Sequence, residues 1–153
     1  MERPGLLLAE DTVFESSDAF EHHEREMSPR PTTPALEALQ ALIERWRVAF
    51  DQRDQAALEE VLAPEVLFQG MGPQLLVGRQ AVLEYYARIR ATVRAQARVL
   101  EALPIGEDAL CGFVMVAFVE PGGNRRLVRV SITAQKRPGA GWQIVGCHAS
   151  APA

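Results

Sequence analysis

The sequence predicts an α+β domain in which three N-terminal helices pack on one face of a curved, mainly antiparallel sheet. In the first part of the chain, apolar residues recur at spacings of three and four, which is typical of helices. After Ala91 they recur at every second position, which is typical of strands. Turn sequences rich in Gly and Pro, at 121–124 and 138–141, separate the later strands and indicate an antiparallel meander.

The long first helix begins at a recognisable cap. Thr33 suits the N-cap, and Pro34 suits the first helical position because it has no backbone N–H to leave unpaired. A continuous apolar stripe follows, which predicts a helix with one buried face. The stripe comprises Leu36, Leu39, Leu42, Ile43, Trp46, Ala49 and Phe50.

Two shorter helices are expected after the first. Asp54 caps the second, and Pro64 is expected to stop it. Gly78 and Arg79 lead into the third, whose apolar side comprises Val82, Tyr86 and Ile89.

The strands differ in how they alternate. In the strand 125–136, one face carries Val, Val and Ile and the other carries Arg, Ser and Thr, so one face is expected to be apolar. The segment 109–119 is almost entirely apolar, which predicts a strand covered on both faces. The other expected strands are 66–68, 75–77, 93–99 and 141–150.

The composition is typical of one globular domain. A chain of 153 residues is long enough to bury roughly two thirds of its unfolded surface. The net charge of −4 gives no general reason to bind nucleic acid or an anionic membrane, and no phosphate-binding loop, dinucleotide fingerprint or nucleophile elbow occurs. Residues 6–9 form an apolar run too short for a signal-peptide core or a membrane span. Since the two cysteines make no disulfide framework either, a reduced cytoplasmic location is expected.

Residues 1–33 are expected to be an acidic extension of a domain that spans residues 34–153. The extension has eight acidic residues against three arginines, whereas the domain is almost neutral. A flexible tail is the simplest expectation, with little effect of its deletion on the melting temperature, although the apolar residues of 6–14 can instead dock on a surface. His22 and His23 are not expected to bind metal, because adjacent side chains diverge and no third ligand is suitably spaced.

The final strand carries the main functional signal. If it alternates regularly, Trp142, His148 and Ser150 share one face, while Cys147 and Ala149 share the other. A histidine and a serine beside a tryptophan indicate a lined cavity. His148 can exchange protons near neutral pH or serve only as a polar lining residue. Ser150 lies about 7 Å further along the strand, which is too far for a direct Ser–His hydrogen bond.

Three groups of residues occur in a characteristic order. The first runs through 46–54 and 62–65 to Phe68, the second is 78–82 with Tyr85 and Tyr86, and the third is 142–145 with His148 and Ser150. With these groups, residues 35–150 resemble the nuclear transport factor 2-like superfamily, in particular its bacterial SnoaL-like and ketosteroid-isomerase-like members. The resemblance is specific to a fold and not to an activity.

The resemblance implies a cone-shaped domain. The helices and the concave face of the sheet would enclose an apolar pocket, and the convex face would often form a homodimer interface. Val128, Val130 and Ile132 would then face a partner, and the Arg129 and Thr133 face would line the cavity. The alternation is also compatible with the opposite assignment. In the pocket Arg129 would attract a carboxylate or enolate; on the other face it would be a solvated charge.

The resemblance also allows one known chemistry to be tested. Ketosteroid-isomerase-like catalysis needs a carboxylate base and two donors that hold the enolate oxygen. Alignment places Gly70 at the position of the base, Thr133 at that of the protonated acid and Trp46 at that of the catalytic tyrosine. Glycine cannot take a proton, and an indole N–H is a poor substitute for a phenol. True ketosteroid isomerase activity is therefore not expected.

The expected function is that of a homodimeric pocket protein without cofactor or metal, which holds a small apolar or polyketide-like molecule. It would perform proton-transfer chemistry of the isomerase, cyclase or dehydratase type, with His148 as the candidate catalytic residue, or only bind the ligand. The alternative is a non-catalytic dimerisation or association module. A closed cavity favours the module, and one of roughly 300 Å³ or more favours the ligand. The expected ligand-binding residues are Trp46, Phe68, Tyr86, Arg129, Thr133 and Ser150.

Overall fold

The computed structural model describes residues 31–152, so most of the predicted extension, with His22 and His23, lies outside the described residues. The helices are α1 (Pro34–Gln52), α2 (Gln55–Val61) and α3 (Arg79–Ala87). Within the described part of the chain, no helix combines the length and the apolar character needed to cross a membrane. The strands are β1 (Leu62–Gln69), β2 (Leu75–Val77), β3 (Arg94–Pro104), β4 (Ala109–Val119), β5 (Arg125–Arg137) and β6 (Gly141–Ser150).

The predicted caps of α1 and α2 are confirmed. The Thr33 hydroxyl accepts a hydrogen bond from the backbone N–H of Leu36 at 3.1 Å, and the Asp54 carboxylate accepts one from Ala57 at 3.1 Å. Each satisfies an N–H group that has no partner inside the helix. Helix α2 ends before Pro64, as expected, but the chain passes directly into β1, which is longer than the predicted strand 66–68.

The six strands form one sheet in the order β2-β1-β6-β5-β4-β3. All neighbouring pairs are antiparallel except β1 and β6, which are parallel. Strands β3 to β6 follow one another as a meander because short turns join them. The three helices pack on one curved face of this sheet, so the predicted α+β architecture is confirmed.

We call the face covered by the helices the inner face and the opposite one the outer face. Val128, Val130 and Ile132 of β5 are buried in the same core cluster as the helices, so they lie on the inner face. The expectation that these three residues face a partner was therefore wrong. Alternation fixes two faces but does not say which is inner, and the apolar face is the one that packs against the apolar stripe of α1.

Strand β6 contains a β-bulge that the regular alternation did not predict. Ala134 pairs with Ile144 and the preceding Thr133 pairs with Gly146, so Val145 has no partner on β5. One extra residue shifts the alternation by one position. Beyond the bulge, His148 and Ser150 consequently lie on the outer face.

Gly112 allows α1 to approach the sheet closely. A Cβ atom at this position would lie 2.6 Å from the backbone oxygen of Glu101 and would overlap the side chain of Leu39. Leu39 is completely buried, so it has no free space into which to move.

Gly112→Ala is expected to destabilise the domain by about 1–3 kcal/mol, because the added methyl group overpacks this contact. Urea unfolding of the full chain measures the effect. Gly122→Ala is the matched control, since a Cβ there meets nothing within 4 Å, and a change below about 0.5 kcal/mol is expected. Equal stability of the two variants would contradict the close approach of α1.

Candidate functional site

The interior of the cone contains a cavity of about 40 Å³. Typical ligand pockets have roughly 300–1,000 Å³, so this space accommodates only very small molecules. Among residues 31–152, its lining includes no carboxylate, imidazole, lysine or arginine. The lining residues are Ile43, Trp46, Leu62, Phe68, Tyr86, Val114, Val116, Phe118, Val128, Val130, Ile132, Ile144, Cys147 and Ala149.

Aromatic rings fill most of the cone. Trp46 stacks on Phe50 with ring centroids 5.3 Å apart. Tyr86 meets Phe50 edge-on at 5.5 Å and Phe68 at 5.8 Å, while Phe118 contacts Phe50 at 5.5 Å. These separations are in the range of favourable aromatic pairs. The small volume of the cavity is therefore a consequence of a connected aromatic cluster.

The main polar contact inside the cone joins α1 to α3. The Trp46 indole N–H donates a hydrogen bond to the Tyr86 hydroxyl at 3.0 Å, and both groups are buried. Burial raises the pKa of Tyr86 far above its usual range, and burial raises the pKa of the Cys147 thiol to about 12. Both groups stay protonated at neutral pH, so they can donate hydrogen bonds but cannot act as bases.

Gly70 is the position that the resemblance aligned with a general base. The absence of a side chain at Gly70 allows the Tyr85 hydroxyl to lie close to the backbone. A Cβ at Gly70 would lie 2.8 Å from the Tyr85 hydroxyl oxygen. That hydroxyl is buried beside the backbone of Met71. Burial raises the pKa of Tyr85 well above its usual range. The position therefore holds a neutral phenol beside a glycine, and no proton acceptor.

The structure brings together only part of the predicted site. Trp46, Phe68 and Tyr86 line the cavity, as expected. His148 is exposed and lies with Thr133 in an open groove of about 560 Å³ on the outer face. The prediction that His148 and Ser150 point into the pocket was wrong because the bulge at Val145 reverses their direction.

Arg129 and Thr133 also lie outside the cone. They alternate along β5 with Val128, Val130 and Ile132, which occupy the inner face. Their predicted place in the pocket was therefore wrong, because the inner face of β5 is the apolar one.

Within residues 31–152, no group of three or more His, Cys, Asp or Glu residues could hold a metal ion.

Regular alternation had placed Cys147 and Ala149 on the face away from the cavity, which they in fact line. Tyr85 is buried, although its place in the core was not predicted. One signal could have indicated the bulge: Gly146 interrupts an otherwise substituted strand, and a glycine inside a strand often marks a bulge. A shift at this point places Cys147 and Ala149 inside, as observed.

Comparisons with known proteins agree with this geometry. Residues 39–153 match the family model of the SnoaL-like domain, and no curated protein matches the chain in sequence. A ketosteroid isomerase-like protein from Erwinia carotovora atroseptica SCRI1043 has a TM-score of 0.65 and 16% identity, with 80% of this chain and 99% of that chain covered.

Two further solved structures have the same fold. An NTF2-like protein from Pseudomonas putida KT2440 has a TM-score of 0.64 and 18% identity over 79% of this chain and 89% of that one. A putative calcium/calmodulin dependent protein kinase II association domain from Xanthomonas campestris has a TM-score of 0.64 and 16% identity, with 82% and 95% covered. The resemblance to the nuclear transport factor 2-like superfamily is confirmed.

Tyr86→Phe is expected to reduce the free energy of unfolding by about 1–3 kcal/mol, because it leaves the buried Trp46 N–H without an acceptor. Tyr85→Phe is the control, since no side chain of residues 31–152 forms a hydrogen bond with its hydroxyl, and a change within about 0.5 kcal/mol is expected. Chemical unfolding of both variants provides the comparison. A larger loss for Tyr85→Phe than for Tyr86→Phe would contradict the role of the Trp46–Tyr86 bond.

Proposed function

We propose that this chain, which belongs to the SnoaL-like domain family, is a non-catalytic association domain. In this proposal it pairs with a second copy of itself. The fold is that of a ligand-binding or isomerase-type family. One observation carries the proposal: the apolar surface that the described domain leaves open lies on the outer face of the sheet, whereas the cone is filled.

The surface consists of two adjacent rows that cross all six strands, and we call it the open band. In each row, the register pairs one residue of every strand with its neighbour on the next. The first row is Leu103, Cys111, Thr133, Gly146, Leu67 and Val77. The second row is Glu101, Phe113, Ser131, His148, Gln69 and Leu75.

Large apolar side chains in the open band are well exposed. The exposed fraction is 62% for Leu103, 49% for Phe113, 49% for Leu67, 54% for Leu75 and 64% for Val77. Exposed large apolar side chains that gather on one face mark interaction sites. Glu101 is the only carboxylate in the band, so two copies meet with little charge repulsion.

The distribution of sizes along the band suits a two-fold contact. Leu103 and Phe113 lie at the β3–β4 end, and Leu67, Leu75 and Val77 lie at the β1–β2 end. Most of the residues between them are polar or small, namely Thr133, Gly146, Ser131 and His148. A two-fold axis through the middle would place the large residues of one end against those of the other end in the second copy. This is the self-complementary arrangement that an isologous interface requires.

An association role is also compatible with the fold. The structure from Xanthomonas campestris is described as a putative association domain and covers most of this chain. At 16% identity it supports the fold alone, so the choice of a second copy as partner rests on the open band.

A second candidate function is the binding of a very small apolar molecule inside the cone. The observation that favours it is the apolar cavity beside the Tyr86 hydroxyl, which can donate a hydrogen bond to a carbonyl oxygen. Proton transfer gains no support there, because a catalytic base is needed and the lining that residues 31–152 provide has no carboxylate or imidazole. A polyketide-sized ligand would require the aromatic rings to separate.

Phe113→Glu is expected to convert a homodimer into a monomer, because it places a desolvated charge against apolar residues. Loss of such an anchor costs about 2–4 kcal/mol, equivalent to a 30–1,000-fold weaker association. Light scattering after size exclusion measures the mass. Ala41→Glu makes the same charge change on the exposed side of α1 and should remain dimeric. A wild-type chain that is monomeric at micromolar concentrations would contradict the proposal.

Thiol labelling adds a second readout for the same pair of variants. Cys111 belongs to the open band, whereas the Cys147 thiol, with its pKa raised to about 12 by burial, should stay unlabelled near neutral pH. In a dimer, the second copy would cover Cys111. It should then react with iodoacetamide more slowly in the wild type and in Ala41→Glu than in the monomeric Phe113→Glu. Equal rates in all three would place the interface elsewhere.

A further inference from the structure

A groove of about 480 Å³ lies among the helices, away from the outer face of the sheet. Two stretches of the chain line it, 53–58 where α1 passes into α2, and 83–91 where α3 ends. We call it the helix groove. Its volume is within the range of roughly 300–1,000 Å³ that small-molecule sites have, whereas the cavity inside the cone has only about 40 Å³. The helix groove therefore has the room for a small organic molecule that the cone lacks.

The floor of the helix groove is apolar. Leu58, Leu83, Tyr86 and Ile89 line it, and each of them is at most 6% exposed. Tyr86 also lines the cavity inside the cone, so its ring separates the two spaces. Its hydroxyl is already bonded to the Trp46 indole. A floor of this kind favours the hydrocarbon part of a ligand, because contact with it removes apolar surface from water.

The rim of the helix groove is positively charged. Arg53, Arg88 and Arg90 line the groove, and none of the lining residues within 31–152 is a carboxylate. Arg90 forms an ion pair with Glu120. Arg88 is exposed, and no carboxylate of the described chain, including Glu84 one turn earlier, forms a salt bridge with it. Arg53 and Arg88 are therefore the two cations that a ligand can engage.

Arg53 is held in a fixed position at the rim. It follows α1 with a left-handed backbone, φ 53°, and its guanidinium donates hydrogen bonds to the backbone carbonyls of Phe50 and Arg90. The guanidinium also lies over the Phe50 ring, 4.3 Å from the ring centroid. An arginine side chain has more N–H donors than these two bonds use. Burial, together with the nearby Arg94, lowers the pKa of Arg53, and a bound anion would offset both effects.

We propose that the helix groove binds a small organic carboxylate with an apolar body, such as a medium-chain fatty acid. The carboxylate lies between Arg53 and Arg88, because planar guanidinium groups form strong, directional hydrogen bonds with carboxylate oxygens. The hydrocarbon part covers the apolar floor. The site uses neither the cone nor the open band, so this binding is independent of the proposed association.

Octanoate is the probe, and amide chemical shifts of the full chain at neutral pH are the measurement. Saturable shifts are expected for amides of residues 53–58 and 83–91. Acetate has the charge without the apolar body, and 1-octanol has the apolar body without the charge. Each should bind at least about tenfold more weakly than octanoate, since each lacks one of the two contacts.

Two variants test the charge and the space separately. Arg88→Gln removes an exposed cation and should weaken octanoate binding at least about tenfold. Ala87→Phe keeps all three arginines but fills the groove from an exposed position at the end of α3, and should weaken binding by a similar factor. Arg45→Gln is the matched control, because Arg45 is exposed on α1 and does not line the groove. Its affinity for octanoate should equal that of the wild type.

The outcomes separate this proposal from the proposed association. Phe113→Glu should bind octanoate as the wild type does, whether or not the wild type is a dimer. Loss of octanoate binding in Phe113→Glu would overturn the proposal, because it would place the site at the open band. Equal affinities for octanoate and 1-octanol would also overturn it, as would binding that survives both Arg88→Gln and Ala87→Phe.

Discussion

The packing of α1 across the inner face of the sheet is the contact on which the rest of the structure depends. Its apolar stripe supplies Trp46 and Phe50 to the aromatic cluster, and the Trp46–Tyr86 hydrogen bond ties it to α3. The close approach at Gly112 brings the helix near enough for these rings to fill the cone. A cavity of about 40 Å³ is what remains. The same packing that stabilises the domain therefore removes the space that a larger ligand would need.

Helices α1, α2 and α3 pack on the inner face of the sheet. The character of the outer face is therefore set by which strand residues point away from these helices. The bulge in β6 decides this for the final strand and places His148 beside Ser131 in the open band. A histidine that looks like a pocket residue in the sequence thus becomes part of a surface. The outer face then divides into the open band and a second region, where Met115, Ala117 and Leu127 form a small buried cluster between arginines of β3 and β5.

Local signals in the sequence were sufficient for the elements and their order. Thr33 and Asp54 have side chains that bond to helix N–H groups, and this chemistry depends only on nearby residues. Which face of β5 is the inner one could not be predicted. Alternation separates the residues into two faces, but only packing against the helices decides which face is covered. Nor could the cavity volume, since it depends on how rings from α1, α3, β1 and β4 meet. Of the predicted site residues, Trp46, Phe68 and Tyr86 line the cavity. Trp46 and Tyr86 could be assigned to the interior because they belong to the apolar stripes of α1 and α3.

The central claim is that the cone is filled and that the domain acts through its outer face. Titration of the full-length Trp142→Phe protein with a steroid ketone tests it most directly, because Trp46 is then the only tryptophan and lies on the cavity wall. The account predicts no saturable change in Trp46 emission at ligand concentrations up to about 100 μM. A saturable change with one ligand bound per chain would contradict it and would show that the aromatic cluster opens to form a pocket.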